Sequence, residues 1–189
     1  MQLGGVNVKN VYIMFSFTGT YFSRFLCMMS GEKYIHVSIA FDENLKEVYS
    51  FGRKNPRWMF PCGFVMEDMN LISSFFKNAV FKMYELPLNK KEYKNLRKEL
   101  KKYQDRQNEY HYNVKGLIHI QFHKVYHRNH HFVCSQFIAK LLSDSNIHTF
   151  DKDYSVVRPK DIAKIPRLKL VYEGKILDYL KEIENEKKS

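Results

Sequence analysis

Residues 34–52 read "YIHVSIAFDENLKEVYSFG", and this stretch decides the fold class. β-Branched and aromatic residues dominate both of its ends, which predicts two strands at 34–42 and 46–52. The polar segment "ENLK" between them predicts a turn, so that the two strands pair as an antiparallel hairpin.

Strand alternation then separates the side chains of the first strand into two faces. Val37, Ile39 and Phe41 share one face. The other face carries small and polar residues around a single imidazole, and its members are His36, Ser38, Ala40 and Asp42. A face of small residues leaves room for another element, such as the start of a helix, to pack against His36.

The rest of the chain extends this hairpin into a larger sheet with helices. Strands are predicted at 10–17, 79–86 and 167–174, and helices at 21–29, 89–104, 113–126, 135–144, 158–165 and 175–189. Thr18 or Thr20 can cap the first helix, and Asn89 with Glu92 forms a capping-box pattern. Residues 53–74 contain scattered Pro and Gly and predict no clear element. Because strands do not alternate regularly with helices, we expect an α+β fold with an antiparallel sheet, as one domain over 1–189 with a fraying helical tail at 176–189.

Composition and charge restrict the function classes. Of the 189 residues, 44% are hydrophobic and 15% aromatic, which indicates a packed protein and not a disordered one. The N-terminal "MQLGGVNVKNVYIMFSF" lacks a basic segment before its apolar stretch, so we expect no secretory signal and a cytoplasmic location. The net charge of +11 would suit an anionic membrane surface as a peripheral contact, whereas nucleic acid is not expected because no recognition motif accompanies the charge.

The second informative stretch is "HHFVCSQFIAKLL" at 130–142, where a polar segment becomes an apolar helix at Cys134. A helix start presents unpaired N–H groups and the positive end of the helix dipole, which stabilise a thiolate. The alternative is a structural cysteine, because free cysteine is among the most buried residue types. Cys27 and Cys62 are interpreted as small hydrophobic residues, and three widely spaced cysteines predict neither a disulfide framework nor structural zinc.

A thiolate nucleophile needs a partner that holds and later delivers a proton, and histidine is the usual one. Of the eight histidines, His36 is distinguished by its place inside a β-branched strand. The alternative is a core histidine bonded to a backbone carbonyl.

Taken together, "YIHVSIAFDENLKEVYSFGRKNP", "YHYNVKGLI" and "HHFVCSQFIAKLL" resemble the circularly permuted branch of the papain-like NlpC-type cysteine hydrolases, which includes YiiX-like proteins and relatives of lecithin retinol acyltransferase. In that branch the histidine strand precedes the cysteine helix. The shared features are the histidine strand, its hairpin partner, a tyrosine before an apolar helix, and "CSxF" opening the next helix. The resemblance covers roughly residues 10–175 and implies a permuted papain-like fold with the cysteine helix packed against the sheet.

The resemblance also implies roles for individual residues. Cys134 would be the nucleophile, His36 the general base and acid, and the hydroxyl of Tyr112 a donor to the oxyanion together with the Cys134 backbone N–H. The family usually places a third polar residue on the strand after the histidine. If Ile39 faces Tyr49, then Ser50 lies on the face of His36 and Glu47 points away, which leaves Ser50 as the geometric choice and Glu47 as the chemically stronger one.

The expected function is therefore a cysteine hydrolase or acyltransferase that acts through a Cys134 thioester on an amide, peptide or acyl-ester bond. The substrate would be a small molecule, a peptide or a lipid, and no cofactor or metal is expected. The row of His119, His123 and His127 at i, i+4 and i+8 of the predicted helix has metal-ligand spacing, but a solvated helix face explains it more simply. Two alternatives remain: a binding protein without turnover on the same fold, and a basic membrane- or nucleic-acid-associated module.

Overall fold

The computed structural model describes residues 8–58 and 60–187. Residues 1–7, which begin the N-terminal stretch in which no secretory signal was expected, lie outside the described residues. The centre of the fold is an eight-stranded sheet with the strand order β7-β6-β4-β3-β2-β1-β5-β8. The strands are β1 Lys9–Phe17, β2 His36–Ala40, β3 Val48–Arg53, β4 Cys62–Met66, β5 Val80–Leu88, β6 His111–Tyr112, β7 His131–Phe132 and β8 Lys169–Lys175. Neighbours pair antiparallel except β6 and β7, which are parallel. The expected α+β class with an antiparallel sheet is confirmed.

Helices cover both faces of this sheet. Their bounds are α1 Tyr21–Ser30, α2 Met69–Phe75, α3 Lys90–Asp105, α4 Val114–Gln121, α5 Cys134–Asp144, α6 Pro159–Ile162 and α7 Ile176–Glu186, with 3-10 turns at Gln107–Glu109 and Tyr154–Val156. Thr20 caps α1 by accepting from the Ser23 N–H, and the capping box of Asn89 and Glu92 opens α3, as the sequence predicted.

The predicted hairpin forms with the register that the sequence suggested, since Ile39 pairs with Tyr49. The face that carries Val37 and Ile39 belongs to a core in which α5 packs on β2 and β3 through its apolar side chains. The opposite face, with Ala40, belongs to a second core that α7 helps to close. The sheet is therefore buried on both sides, and the small residues opposite Ile39 face packed protein.

Three predicted elements differ from the structure. The segment 53–74, which predicted no clear element, contains strand β4 and helix α2, the latter capped by the Asp68 side chain. Helix α4 ends at Gln121 instead of 126, so the predicted helix was too long. The expected fraying tail is a packed helix, because Ile176 and Leu180 of α7 are buried in the second core. Residues 188–189 lie outside the described part.

None of the helices within residues 8–58 and 60–187 has the length and apolar character needed to cross a membrane.

Candidate active site

Cys134 is the first residue of α5 and is held rigidly there. Its neighbour Gln136 accepts a hydrogen bond from the Val133 N–H at 3.0 Å and donates to the Ser155 carbonyl at 2.9 Å. The Ser135 hydroxyl donates to the Val157 carbonyl at 2.7 Å. These bonds fix the helix start against the 3-10 segment, and the first N–H groups of the helix have no intrahelical acceptors.

His36 lies beside this thiol although the two residues are far apart in the chain. It is the first residue of β2, and the Cys134 thiol approaches the same strand end, where its Sγ lies 3.8 Å from the Ile35 carbonyl oxygen. On its other side, the imidazole Nε2 is 2.6 Å from Oε1 of Glu67. Because Nε2 is bound to the carboxylate, Nδ1 is the ring nitrogen that remains for the thiol.

His36 and Glu67 each favour the charged form of the other. Burial by itself lowers the pKa of His36, but the Glu67 carboxylate and the Cys134 side chain more than offset this effect and raise the pKa to about 10. Burial alone would raise the pKa of Glu67, whereas the His36 charge and hydrogen bonds from Ser50 and Ser38 hold it below its ordinary value. With 26% and 10% of the two side chains exposed, His36 and Glu67 form a largely buried ion pair at neutral pH.

Sequence reasoning missed Glu67. It directly follows β4, and its backbone N–H donates to the Val48 carbonyl at 2.7 Å, which anchors it beside β3. The strand that carries it to the imidazole lies in the segment for which no element was predicted. The available signal was the acid of "EDMN", which directly follows the apolar run at 63–66.

The two residues that were expected in this third role occupy different places. The Ser50 hydroxyl donates to Oε1 of Glu67 at 2.6 Å, so it contacts the imidazole's partner and acts on His36 through that carboxylate. Glu47 binds the Arg97 guanidinium through both carboxylate oxygens and accepts from the Tyr49 hydroxyl at 3.0 Å. Glu47 therefore points away from His36, as strand alternation predicted, and its carboxylate binds Arg97 of α3 instead of the imidazole.

Tyr112 precedes helix α4, as the sequence predicted, and it ends β6, a short strand that the sequence did not predict. It lines the same two cavities as Cys134. Burial, and then the charge of Cys134, raise the pKa of the Tyr112 hydroxyl well above its ordinary value. The hydroxyl is therefore protonated and can donate a hydrogen bond to a negative oxygen next to the sulfur.

Two connected cavities meet at the thiol. The larger, of about 490 Å³, reaches His36, Glu67 and Cys134, and also the hydroxyl-bearing residues Thr18, Thr20 and Ser23. The smaller, of about 290 Å³, continues beyond Cys134 between α1 and α4. Their walls are mainly apolar, so a substrate that reaches the sulfur leaves water behind.

Of the other two cysteines, Cys62 lines the larger cavity together with Cys134, whereas Cys27 lines neither cavity. Burial, and then Glu32, raise the pKa of Cys27, and burial raises that of Cys62 although Arg53 opposes it. Because α4 ends at Gln121, His123 and His127 do not continue a helical row from His119, which corrects the spacing seen in the sequence. Across the described residues, no three His, Cys, Asp or Glu side chains come together as a metal site.

The site thus combines a sulfur at a helix start, an imidazole, a buried carboxylate and a tyrosine hydroxyl where two apolar cavities meet. Comparisons of the chain with protein-family models, with curated proteins and with solved structures found no match.

Proposed function

We propose that this protein is a cysteine-dependent acyl-transfer enzyme, with Cys134 as the nucleophile, His36 as the proton carrier and Glu67 as the residue that orients and charges the imidazole. The observation that carries the proposal is the 2.6 Å contact between His36 Nε2 and Glu67 Oε1, which leaves Nδ1 for the thiol of Cys134. This is the arrangement of nucleophile, base and orienting group that covalent catalysis requires. The order of histidine strand and cysteine helix is that of the permuted papain-like fold, which we propose for this chain.

The reaction follows from the positions of these groups. The sulfur of Cys134 attacks a substrate carbonyl, its proton resides on Nδ1 of His36, and the carbonyl oxygen becomes an oxyanion. The Cys134 backbone N–H and the Tyr112 hydroxyl stabilise that oxyanion. His36 then gives its proton to the leaving alcohol or amine as the carbon–heteroatom bond breaks, which leaves a thioester on Cys134. Water or another acceptor loses a proton to His36, attacks the thioester and restores the thiol.

A binding protein without turnover was the main alternative, and its support was the weak third residue expected at Ser50. Glu67 removes that support, because a carboxylate is a strong orienting group and its cost of burial is offset here by three hydrogen-bond donors. The geometry therefore favours an enzyme.

Selective alkylation tests the reactive pair. We expect iodoacetamide at mildly acidic pH to modify Cys134 before Cys27 and Cys62, as read by peptide mass. Cys62 is an informative internal control because it lines the same cavity and is reached by the same path. Replacing His36 by Gln should abolish the preference, while the same change at His148, which lies outside the site, should preserve it. Equal labelling of the three thiols would contradict the proposal.

Turnover tests the chemistry itself. Incubation with acyl esters that carry a chromogenic leaving group should produce an acyl adduct on Cys134 in the intact mass. The Cys134→Ala change should lower the rate by about 10³-fold or more, as is typical for the loss of a nucleophile. Addition of alcohols or amines as acceptors then separates a transferase from a hydrolase. A rate unchanged by Cys134→Ala would refute the assignment.

A further inference from the structure

Large apolar side chains are exposed in unusual density around the two cavity mouths. Those of the first cavity are Tyr21, Phe60, Met66, Leu71 and Val114, and those of the second are Phe25, Met29, Ile118 and Phe122. They come from α1, α2, α4, the end of β4 and the loop before it. We call this set the apolar rim. Contiguous exposed apolar surface of this kind marks a binding surface.

Contacts between its elements show that the apolar rim is one surface. The Gln121 side chain of α4 donates to the Met29 carbonyl of α1. The Arg57 guanidinium of the loop lies 5.0 Å from the ring centroid of Phe75 in α2. The two cavities share lining residues at Leu26, Leu117 and Cys134, which join the two halves of the rim.

The charges of the same segments are almost all positive. The segments 19–30, 53–60, 68–77 and 113–125 contain one acid, Asp68, whose carboxylate already accepts from the Leu71 N–H as the cap of α2. Two further acids line the cavities and are paired, Glu67 with His36 and Glu32 with Lys160. The basic residues of the segments are Arg24, Arg53, Lys54, Arg57, Lys77, Lys115 and Lys124. Of the chain's net charge of +11, these segments contribute +6, so just over half of the excess lies at the rim. The surface that binds the apolar rim must therefore combine an apolar interior with negative charge.

We propose that the apolar rim docks on the surface of an anionic lipid bilayer, with the cavity mouths facing the membrane. Aromatic and aliphatic side chains mixed with Lys and Arg are the composition of segments that bind in the headgroup region. A bilayer fits better than a folded protein because the apolar groups surround an open cavity on several sides instead of forming one filled patch. The inference does not depend on turnover, since docking uses the rim and leaves the sulfur free.

The chain contains its own reporter for this surface. Trp58 is the one tryptophan of the sequence. It lies in the loop between Arg57 and the rim residue Phe60, and it is 65% exposed. Vesicles of phosphatidylcholine with phosphatidylglycerol should shift its emission to shorter wavelength and carry the protein down on sedimentation. Vesicles of phosphatidylcholine alone should bind more weakly, and added salt should weaken binding to the anionic vesicles.

Paired variants localise the binding. Lys54→Gln with Arg57→Gln should weaken it by roughly 25-fold, about fivefold for each charge near an anionic surface. The matched control, Lys94→Gln with Lys98→Gln, removes two exposed charges from α3 and should change it far less.

Two apolar variants and the nucleophile variant complete the test. Phe60→Ser should weaken binding by about tenfold through lost apolar burial, whereas Val171→Ser on the far edge strand β8 should not change it. Cys134→Ala should bind like the unchanged protein, which separates failure of docking from failure of the proposed catalysis. Absence of binding to anionic vesicles, binding to a protein partner alone, or equal losses in rim and control variants would each overturn the proposal.

Discussion

Replacement of Glu67 by Gln tests the charge that is central to the site. Gln keeps the size of the side chain and can still accept from Ser50, but it removes the negative charge next to Nε2 of His36. The His36 pKa of about 10, against 6.5 for an ordinary histidine, depends first on that carboxylate among the groups that raise it. The imidazole of His36 should therefore lose its proton at a lower pH in the variant than in the unchanged protein.

The size and sign of the effect on stability follow from this shift. The shift from 6.5 to about 10 corresponds to roughly 5 kcal/mol in favour of the folded, protonated state, at about 1.4 kcal/mol for each pH unit. This contribution is fully present below pH 6.5, and it is lost as pH rises towards 10, because the folded state keeps a proton that the unfolded state has released. Part of it comes from Cys134, so Glu67→Gln should cost about 3–5 kcal/mol near pH 6 and about 2–3 kcal/mol less at pH 9.

Urea unfolding of the two proteins measures this difference at pH values from roughly 5.5 to 9.5, which cover most of the range over which the His36 contribution is lost. Glu47→Gln is the matched control, because it makes the same substitution in a carboxylate that binds Arg97 on a more exposed surface. Its other partner, Tyr49, has its pKa raised to about 12 by burial and by Glu47, which lies above the window. The control should cost about 1 kcal/mol or less at every pH. Parallel pH dependence of the two variants would refute the reasoning.

Three further changes address the support of the site. Gln136→Ala should lower the free energy of unfolding by roughly 2–4 kcal/mol, since it leaves the Ser155 carbonyl and a backbone N–H unpaired in the core, and thermal unfolding measures this. Gly52→Ala places a Cβ 3.3 Å from the Ser50 hydroxyl and 3.4 Å from Cε1 of His36, so Ser50 must move slightly beside the imidazole. Turnover should fall by about tenfold at most while unfolding changes by less than about 1 kcal/mol; a drop in both together would contradict this. Asn89→Ala removes the cap of α3 and should cost about 1 kcal/mol in urea unfolding with unchanged turnover.

The sequence alone predicted those features whose signals lie within a few neighbouring residues. The β-branched residues around His36 and the turn after them predicted the hairpin and the two faces of its first strand, because side chains alternate strictly along a strand. The stretch "HHFVCSQFIAKLL" predicted an apolar helix after Cys134, and its residues Phe137, Ile138, Leu141 and Leu142 are all fully buried. The caps at Thr20 and Asn89 were readable for the same reason, since a cap is a contact between residues a few positions apart.

The sequence misled where a helix ends without a clear signal. The apolar pattern of 113–126 continues beyond Gln121, yet the chain turns at Phe122 and reaches a positive φ of 54° at His123. The apparent histidine row therefore exists in the spacing and not in space. Helix periodicity predicts the face of a helix better than its end.

The pairing of Cys134 with His36 was within reach of the sequence, because each residue stands at a chemically distinctive place, a helix start and a β-branched strand. The identity of the third group was decided by the tertiary structure alone. Glu67 meets the imidazole because β4 lies beside β3 in the sheet, and no local pattern specifies which strands become neighbours. The same holds for the apolar rim, whose side chains are scattered over a hundred positions and become one surface only when the helices that carry them pack around the cavities.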